Sequence, residues 1–231
     1  MMVPGIPCRH KTNWPLAMVC ALGVASSHAA PPIRHADLAT EGASPQVRQV
    51  AEWIAASRNN AGLPFAIVDK VGARVLVFSA AGALRGSAAA LLGSARGDGS
   101  TPGIGDKKLS NIRPEERTTP AGRFEAEIGR NMRGEDILWV DYDGAVSLHR
   151  VVTGNLKEHR RQRLETPTAS DNRITYGCIN VSEDFYLRVV RPTFSGMRGI
   201  VYVLPEVLLV EEVFHSFPVD YAGTKNRLSG Q

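Results

Sequence analysis

Two side chains in this sequence have the types and settings needed for covalent chemistry together. Cys178 lies in the run Arg173-Ile174-Thr175-Tyr176-Gly177-Cys178-Ile179-Asn180-Val181, and His149 ends the run Ala145-Val146-Ser147-Leu148-His149. A cysteine nucleophile needs a thiolate, a base that generates it, and donors for the oxyanion that develops on the attacked carbonyl. Gly177 allows close backbone approach beside Cys178, where successive N–H groups can point into an oxyanion hole. His149 is flanked by Leu148 and Val151 in a strand pattern, and rigid placement suits a catalytic base. His159, among Lys157, Arg160, Arg161 and Arg163, reads first as part of a solvated basic loop and is the second choice for the base. The remaining candidates, His35 and His215, fall in a leader and a tail.

The cysteine stands out because it has no partner. The other two, Cys8 and Cys20, sit in a segment that reads as an export signal. Arg9, His10 and Lys11 form its positive start, Trp14 to Val24 its apolar run, and Ser26 to Ala30 its small-residue end. The apolar run of eleven residues is shorter than the roughly twenty needed to span a bilayer, so residues 1–29 are expected to be a cleaved signal and the chain secreted, with no membrane span. A single thiol in an exported protein is exposed to oxidation, and its retention favours chemistry over inert packing.

Cleavage after Ala29 leaves 202 of the 231 residues and removes two basic and no acidic residues, so the net charge falls from +4 to +2. That charge excludes any strong argument for nucleic acid or an anionic membrane. The length suits one domain, and there are no internal repeats. No Cys/His spacing suggests a metal, and Gly97-Asp98-Gly99 and Gly103-Ile104-Gly105 lack the context of a phosphate loop, so no cofactor is expected.

Residues 30–44 read as a disordered Pro/Ala-rich leader. Residues 45–63 read as an N-terminal helix with its stop, with Ser44 as N-cap and Pro45 in the first turn. Strand patterns follow at Phe65–Val68 and Arg74–Phe78, with Lys70-Val71-Gly72 turning between them. Residues 80–92 are ambiguous, and 93–122 form a long irregular loop. Strands resume at Arg123–Ile128, Ile137–Tyr142 and Ala145–Val152, the last two joined by an Asp143-Gly144 turn. A helix opens at Ser182 or Glu183 and runs to about Arg191; Gly199–Leu204 is the last strand. Trp53 and Trp139 read as core residues, and 207–231 as an extension with no assigned structure. The sum is a mainly β domain over 64–206, a sandwich or partly open barrel with one or two helices.

Three segments in this order resemble the YkuD-type L,D-transpeptidase catalytic domain: Thr119-Pro120-Ala121-Gly122-Arg123-Phe124, Leu148-His149, and Thr175-Tyr176-Gly177-Cys178-Ile179-Asn180. The resemblance implies a periplasmic or wall-facing enzyme acting on peptidoglycan stem peptides without a cofactor; separately, a monomer is expected. It implies Cys178 as nucleophile, His149 as base, an oxyanion hole from the N–H groups of Gly177 and Cys178, and Asn180 orienting that loop or the substrate. Thr175 and Tyr176 complete the motif. The thioester would be resolved by an amine; an L,D-carboxypeptidase using water, or a wall-binding domain without catalysis, are the alternatives. Two features depart from the pattern: Tyr176 stands where the family carries histidine, and 29 positions separate His149 from Cys178. The extra residues include the basic stretch 157–163, a lid or a dock for an acidic stem peptide.

Overall fold

The computed structural model describes residues 42–217. The expected signal at 1–29, most of the leader, His35, and residues 218–231 lie outside the described residues.

Helix α1 (Pro45–Ser57) begins where Ser44 Oγ accepts from the Val47 N–H at 3.2 Å, and Arg58 ends it in a left-handed conformation. Ten strands follow: β1 (Phe65–Asp69), β2 (Arg74–Phe78), β3 (Leu84–Ala89), β4 (Leu92–Gly93), β5 (Gly122–Arg130), β6 (Asp136–Asp141), β7 (Val146–Arg150), β8 (Arg173–Thr175), β9 (Ile179–Val181) and β10 (Gly199–Val203). The ambiguous stretch 80–92 is therefore strand: Gly82 and Gly86 deny it a helix, and Gly86 instead lets β3 approach Val189 and Phe185. Eight strands form one sheet in the order β3-β2-β1-β10-β5-β6-β7-β9, and β4 pairs with β8 alone. Just past β3, Leu91 exchanges two backbone hydrogen bonds with Asn180 of β9, at 2.8 and 2.9 Å. The two ends of the sheet thus meet, and the sheet curls into a nearly closed barrel. A mainly β, partly open barrel is the expected architecture.

The barrel interior is filled by Val68, Val75, Val77, Leu138, Val140, Val146, Leu148, Ile179, Val181 and Val201. Phe185, Tyr186, Val190 and Phe194 plug it from a helical segment that is α over α3 (Glu183–Phe185), π over Tyr186–Val190 and α again over α4 (Arg191–Phe194). Ser182 caps its start by accepting from the Phe185 N–H.

A second core lies outside the barrel, where α1 packs Val47, Val50, Trp53 and Ile54 against Phe65, Ile67, Leu76, Phe78 and Tyr202. The unassigned C-terminal stretch joins this core. A short helix, α5 (Val210–Val213), brings Phe214 and Phe217 onto the Trp53 ring, whose Nε1–H donates to the Ser216 carbonyl at 3.1 Å. Trp53 is core, as expected. Trp139 is not: it is half-buried on the outer face of β6, against Gly129, where an added Cβ would sit 2.7 Å from its ring.

The long loop between β4 and β5 contains three short 3-10 turns and is fixed at its base by a buried ionic network. Lys70 Nζ donates to Asp98 Oδ1 at 2.5 Å and to the Gly97 and Thr119 carbonyls, and Asp98 also accepts from the backbone N–H groups of Glu206, Val207 and Leu208. Glu206 pairs with Arg173 in turn. Burial raises the Asp98 carboxyl, but the Lys70 ammonium and the three N–H donors outweigh it and hold it at about 2. Burial is also the main influence on Lys70, whose ammonium sits below its ordinary pKa despite its acidic partners.

Candidate active site

Strands β7 and β9 run parallel, with His149 opposite Asn180 and Leu148 opposite Ile179. Period-two alternation sends Val146, Leu148, Ile179 and Val181 into the barrel and leaves Ser147, His149 and Asn180 on the outer face. Cys178 arrives on this face one residue before β9 begins, and is partly exposed.

The backbone that presents Cys178 is held at several points. Gly177 has φ +129, and a Cβ there would lie 2.8 Å from the Thr118 carbonyl oxygen, so only glycine fits. Fully buried Thr119 donates its hydroxyl to the Gly177 carbonyl at 2.9 Å while accepting from the Gly93 N–H. Thr175 Oγ1 accepts from the Gly177 N–H at 3.1 Å and donates to the Cys178 carbonyl at 2.6 Å. The Gly177 N–H is thus engaged by Thr175 Oγ1. The planar trans peptide directs the Cys178 N–H away from the Thr119-bound carbonyl, and that N–H has no acceptor among the described residues.

Around the thiol, Cys178 Sγ lies 3.5 Å from the Ala145 carbonyl and 3.7 Å from Ser147 Oγ, with the His149 imidazole close enough to act on it electrostatically. His149 Nδ1 is 2.8 Å from the Arg150 carbonyl oxygen. A carbonyl only accepts, so Nδ1 carries a hydrogen, and Nε2 is the nitrogen with the lone pair. Nε2 is also 3.1 Å from Asn180 Nδ2. The Arg150 side chain anchors its own carbonyl: it pairs with Asp136 at 2.5 Å and stacks 4.6 Å over the Tyr186 ring.

Burial pushes the Cys178 thiol up. The hydrogen bond and charge of His149, with the backbone N–H and hydroxyl of Ser147, overcome this and leave it below its ordinary value. Burial pushes His149 down, while bonding to Cys178 and to the Arg150 carbonyl raises it above its ordinary value, against the charge of Arg160. The two shifts have one cause: each group favours the charged form of the other. This is the electrostatic setting of a thiolate–imidazolium pair.

Of the sequence candidates, the fold brings together Cys178, His149, Thr175, Gly177 and Asn180. Tyr176 is adjacent but turned outward, 39% exposed, with the Arg117 guanidinium 4.3 Å above its ring. His159 is exposed in a left-handed turn, and the thiol's contacts are with Ala145, Ser147 and His149 instead. His215 is exposed in the C-terminal stretch of the outer core. Asn180 meets His149 through its side chain and closes the barrel seam through its backbone; it was expected to orient the loop or substrate.

The basic stretch is more committed than expected. It forms a 3-10 turn at Leu156–Glu158 and helix α2 (Arg160–Glu165). Arg160 bonds Glu158 and Asn180, and Arg163 bonds the Glu158 and Asp171 carbonyls, which leaves Lys157 and Arg161 exposed. Sequence reasoning passed over Ser147, Thr119, Arg150 and Arg160. Ser147 was recoverable, because it lies two residues before His149 in a strand and so on the same face. Thr119 stood in the Thr-Pro segment, but its contact with Gly177 spans 58 positions, and the Arg160 contact with Asn180 spans 20; Arg150 adjoins His149 and acts there through its carbonyl, which no residue type marks.

Among the described residues no group of three or more His, Cys, Asp or Glu could hold a metal ion, and no helix is long and apolar enough to cross a membrane. No family model matches the chain, and no curated protein matches it. Among solved structures, one similar to this chain is the L,D-transpeptidase LdtMt1 in complex with imipenem, with 17% identity and a TM-score of 0.34. That alignment covers 61% of this chain and 58% of the other, so the chain spans less than two thirds of its length.

Proposed function

We propose that the protein is a cysteine acyl transferase of the L,D-transpeptidase type, acting outside the cytoplasm on peptidoglycan stem peptides. The observation that carries the chemistry is the Cys178–His149 pair, with His149 oriented by the Arg150 carbonyl. The sequence resemblance of the Thr175–Asn180 box supplies the substrate class.

In this reading His149 Nε2 takes the thiol proton and the Cys178 thiolate attacks the carbonyl carbon of the third stem residue. A carbon–sulfur bond forms, and the carbonyl oxygen becomes an oxyanion that accepts from the Cys178 N–H. Collapse breaks the peptide bond. The terminal D-alanine leaves as an amine, taking the proton from His149. An amine acceptor then attacks the thioester with His149 as base, which forms the new amide and restores the thiol. Water in place of the amine gives a carboxypeptidase from the same steps.

The purified protein incubated with a disaccharide-tetrapeptide is expected to give cross-linked or D-amino-acid-exchanged products by mass spectrometry. Tripeptide alone would indicate hydrolysis. Cys178→Ala should lower product formation by about a thousandfold or more. No product, together with no carbapenem adduct on Cys178, would sink the proposal.

A further inference from the structure

We propose that Arg160, from the stretch inserted between His149 and Cys178, is a positioning residue for the base. It acts by locking the Asn180 amide so that the NH2 group faces His149 Nε2. The inference rests on reading His149 as the base for Cys178.

An arginine is only a donor, so the atom that Arg160 Nη1 meets at 2.9 Å must be Asn180 Oδ1. The amide is then fixed with Nδ2 toward the ring, where it lies 3.1 Å from Nε2. At the opposite side of the ring the Arg150 carbonyl holds Nδ1 at 2.8 Å. The imidazole is thus gripped at both nitrogens: Nδ1–H donates to the Arg150 carbonyl, and the Nε2 lone pair accepts from Asn180 Nδ2. Arg160 is itself aimed by Glu158, whose Oε2 accepts from Nε at 2.5 Å, and its side chain is only 14% exposed. The guanidinium plane is therefore set by one partner and used on the other, a geometry a lysine cannot reproduce.

The lock has an electrostatic consequence. The groups acting on His149 are the Cys178 thiol, the Arg150 carbonyl, the Asn180 amide and the Arg160 guanidinium, with Glu158 behind Arg160. The Arg160 charge lowers the imidazole's proton affinity. An amide turned the other way would present Oδ1 to a protonated Nε2 and compete with the thiolate for it. Arg160 removes that alternative and leaves a donor, Asn180 Nδ2, facing Nε2.

The test uses the full chain and needs no peptide substrate, so it stands or falls separately from the acyl-transfer reading. Alkylation of Cys178 by iodoacetamide, followed peptide by peptide across pH, reports the thiol. NMR titration of labelled histidine reports His149. Arg160→Ala should raise the His149 midpoint by about one unit and slow Cys178 alkylation at pH 7 by roughly threefold or more. Arg161→Ala, on the exposed side of the same helix, should leave both unchanged. Asn180→Ala should reproduce the Arg160→Ala shift, and the double variant should add little to either. Arg160→Lys, which keeps the charge, should recover only part of the shift and replaces Arg160→Ala should that variant fail to fold. Profiles of Arg160→Ala or Arg160→Lys that superimpose on wild type would overturn the proposal. So would additive effects of Arg160→Ala and Asn180→Ala, since Arg160 would then act by charge without Asn180.

Discussion

The β1–β2–β10 side of the barrel and the β6–β7–β9 side are built from the same alternating strands but use their outer faces differently. On the first side both faces are buried, because α1, Phe214 and Phe217 cover Phe65, Ile67, Leu76 and Tyr202. Those strands read as unbroken apolar runs. On the second side the inner face is apolar, and the outer face carries Ser147, His149 and Asn180 beside Trp139. One side stores stability, and the other uses the rigidity this gives to aim side chains. Between them lies the Lys70–Asp98 network, which touches both: Lys70 belongs to the β1–β2 turn, and its ammonium binds the carbonyl of Thr119, the residue that holds Gly177.

The sharpest way to break this division is at the junction. Lys70→Met leaves Asp98 and Glu206 buried without their ammonium, and should cost about 3–5 kcal/mol in urea unfolding followed by tryptophan fluorescence. Because Thr119 loses an anchor, the same variant should also disturb Cys178 alkylation; a normal alkylation profile would separate junction from site. Leu76→Ala, in the two-faced half, should cost about 2–4 kcal/mol by the same measurement while leaving the Cys178 pH profile in place. A moved profile would mean that the two halves are not independent. Ser147→Ala is the smallest perturbation. It removes a donor that favours the thiolate, so the alkylation midpoint should rise by about half a unit with stability changed by less than about 1 kcal/mol.

The same division explains what was legible in the sequence. Alternation and turn residues give away β1, β2, β6, β7 and β10, and Gly177-Cys178 marks the candidate site, because these signals are local. The stretch 80–92 was opaque since alanine and glycine have little strand preference; its strand is enforced by pairing with β2. Trp139 was misread as core because an aromatic inside an apolar run carries no mark of which face it occupies. It pairs with Ser147 and so shares the site's face. Arg160 looked like one charge among several in a solvated loop. Its role depends on a contact with Asn180, twenty residues away, that no spacing rule predicts.

The closure of the barrel bears on how the site moves. Leu91 and Asn180 form the bridge that joins the two sheet ends, and the side chain of that same Asn180 touches His149. Any fluctuation that parts the seam must therefore carry the amide away from His149. Hydrogen exchange at the Leu91 and Asn180 N–H groups then reads out, on a timescale of local opening, how often the Cys178–His149 face is taken apart.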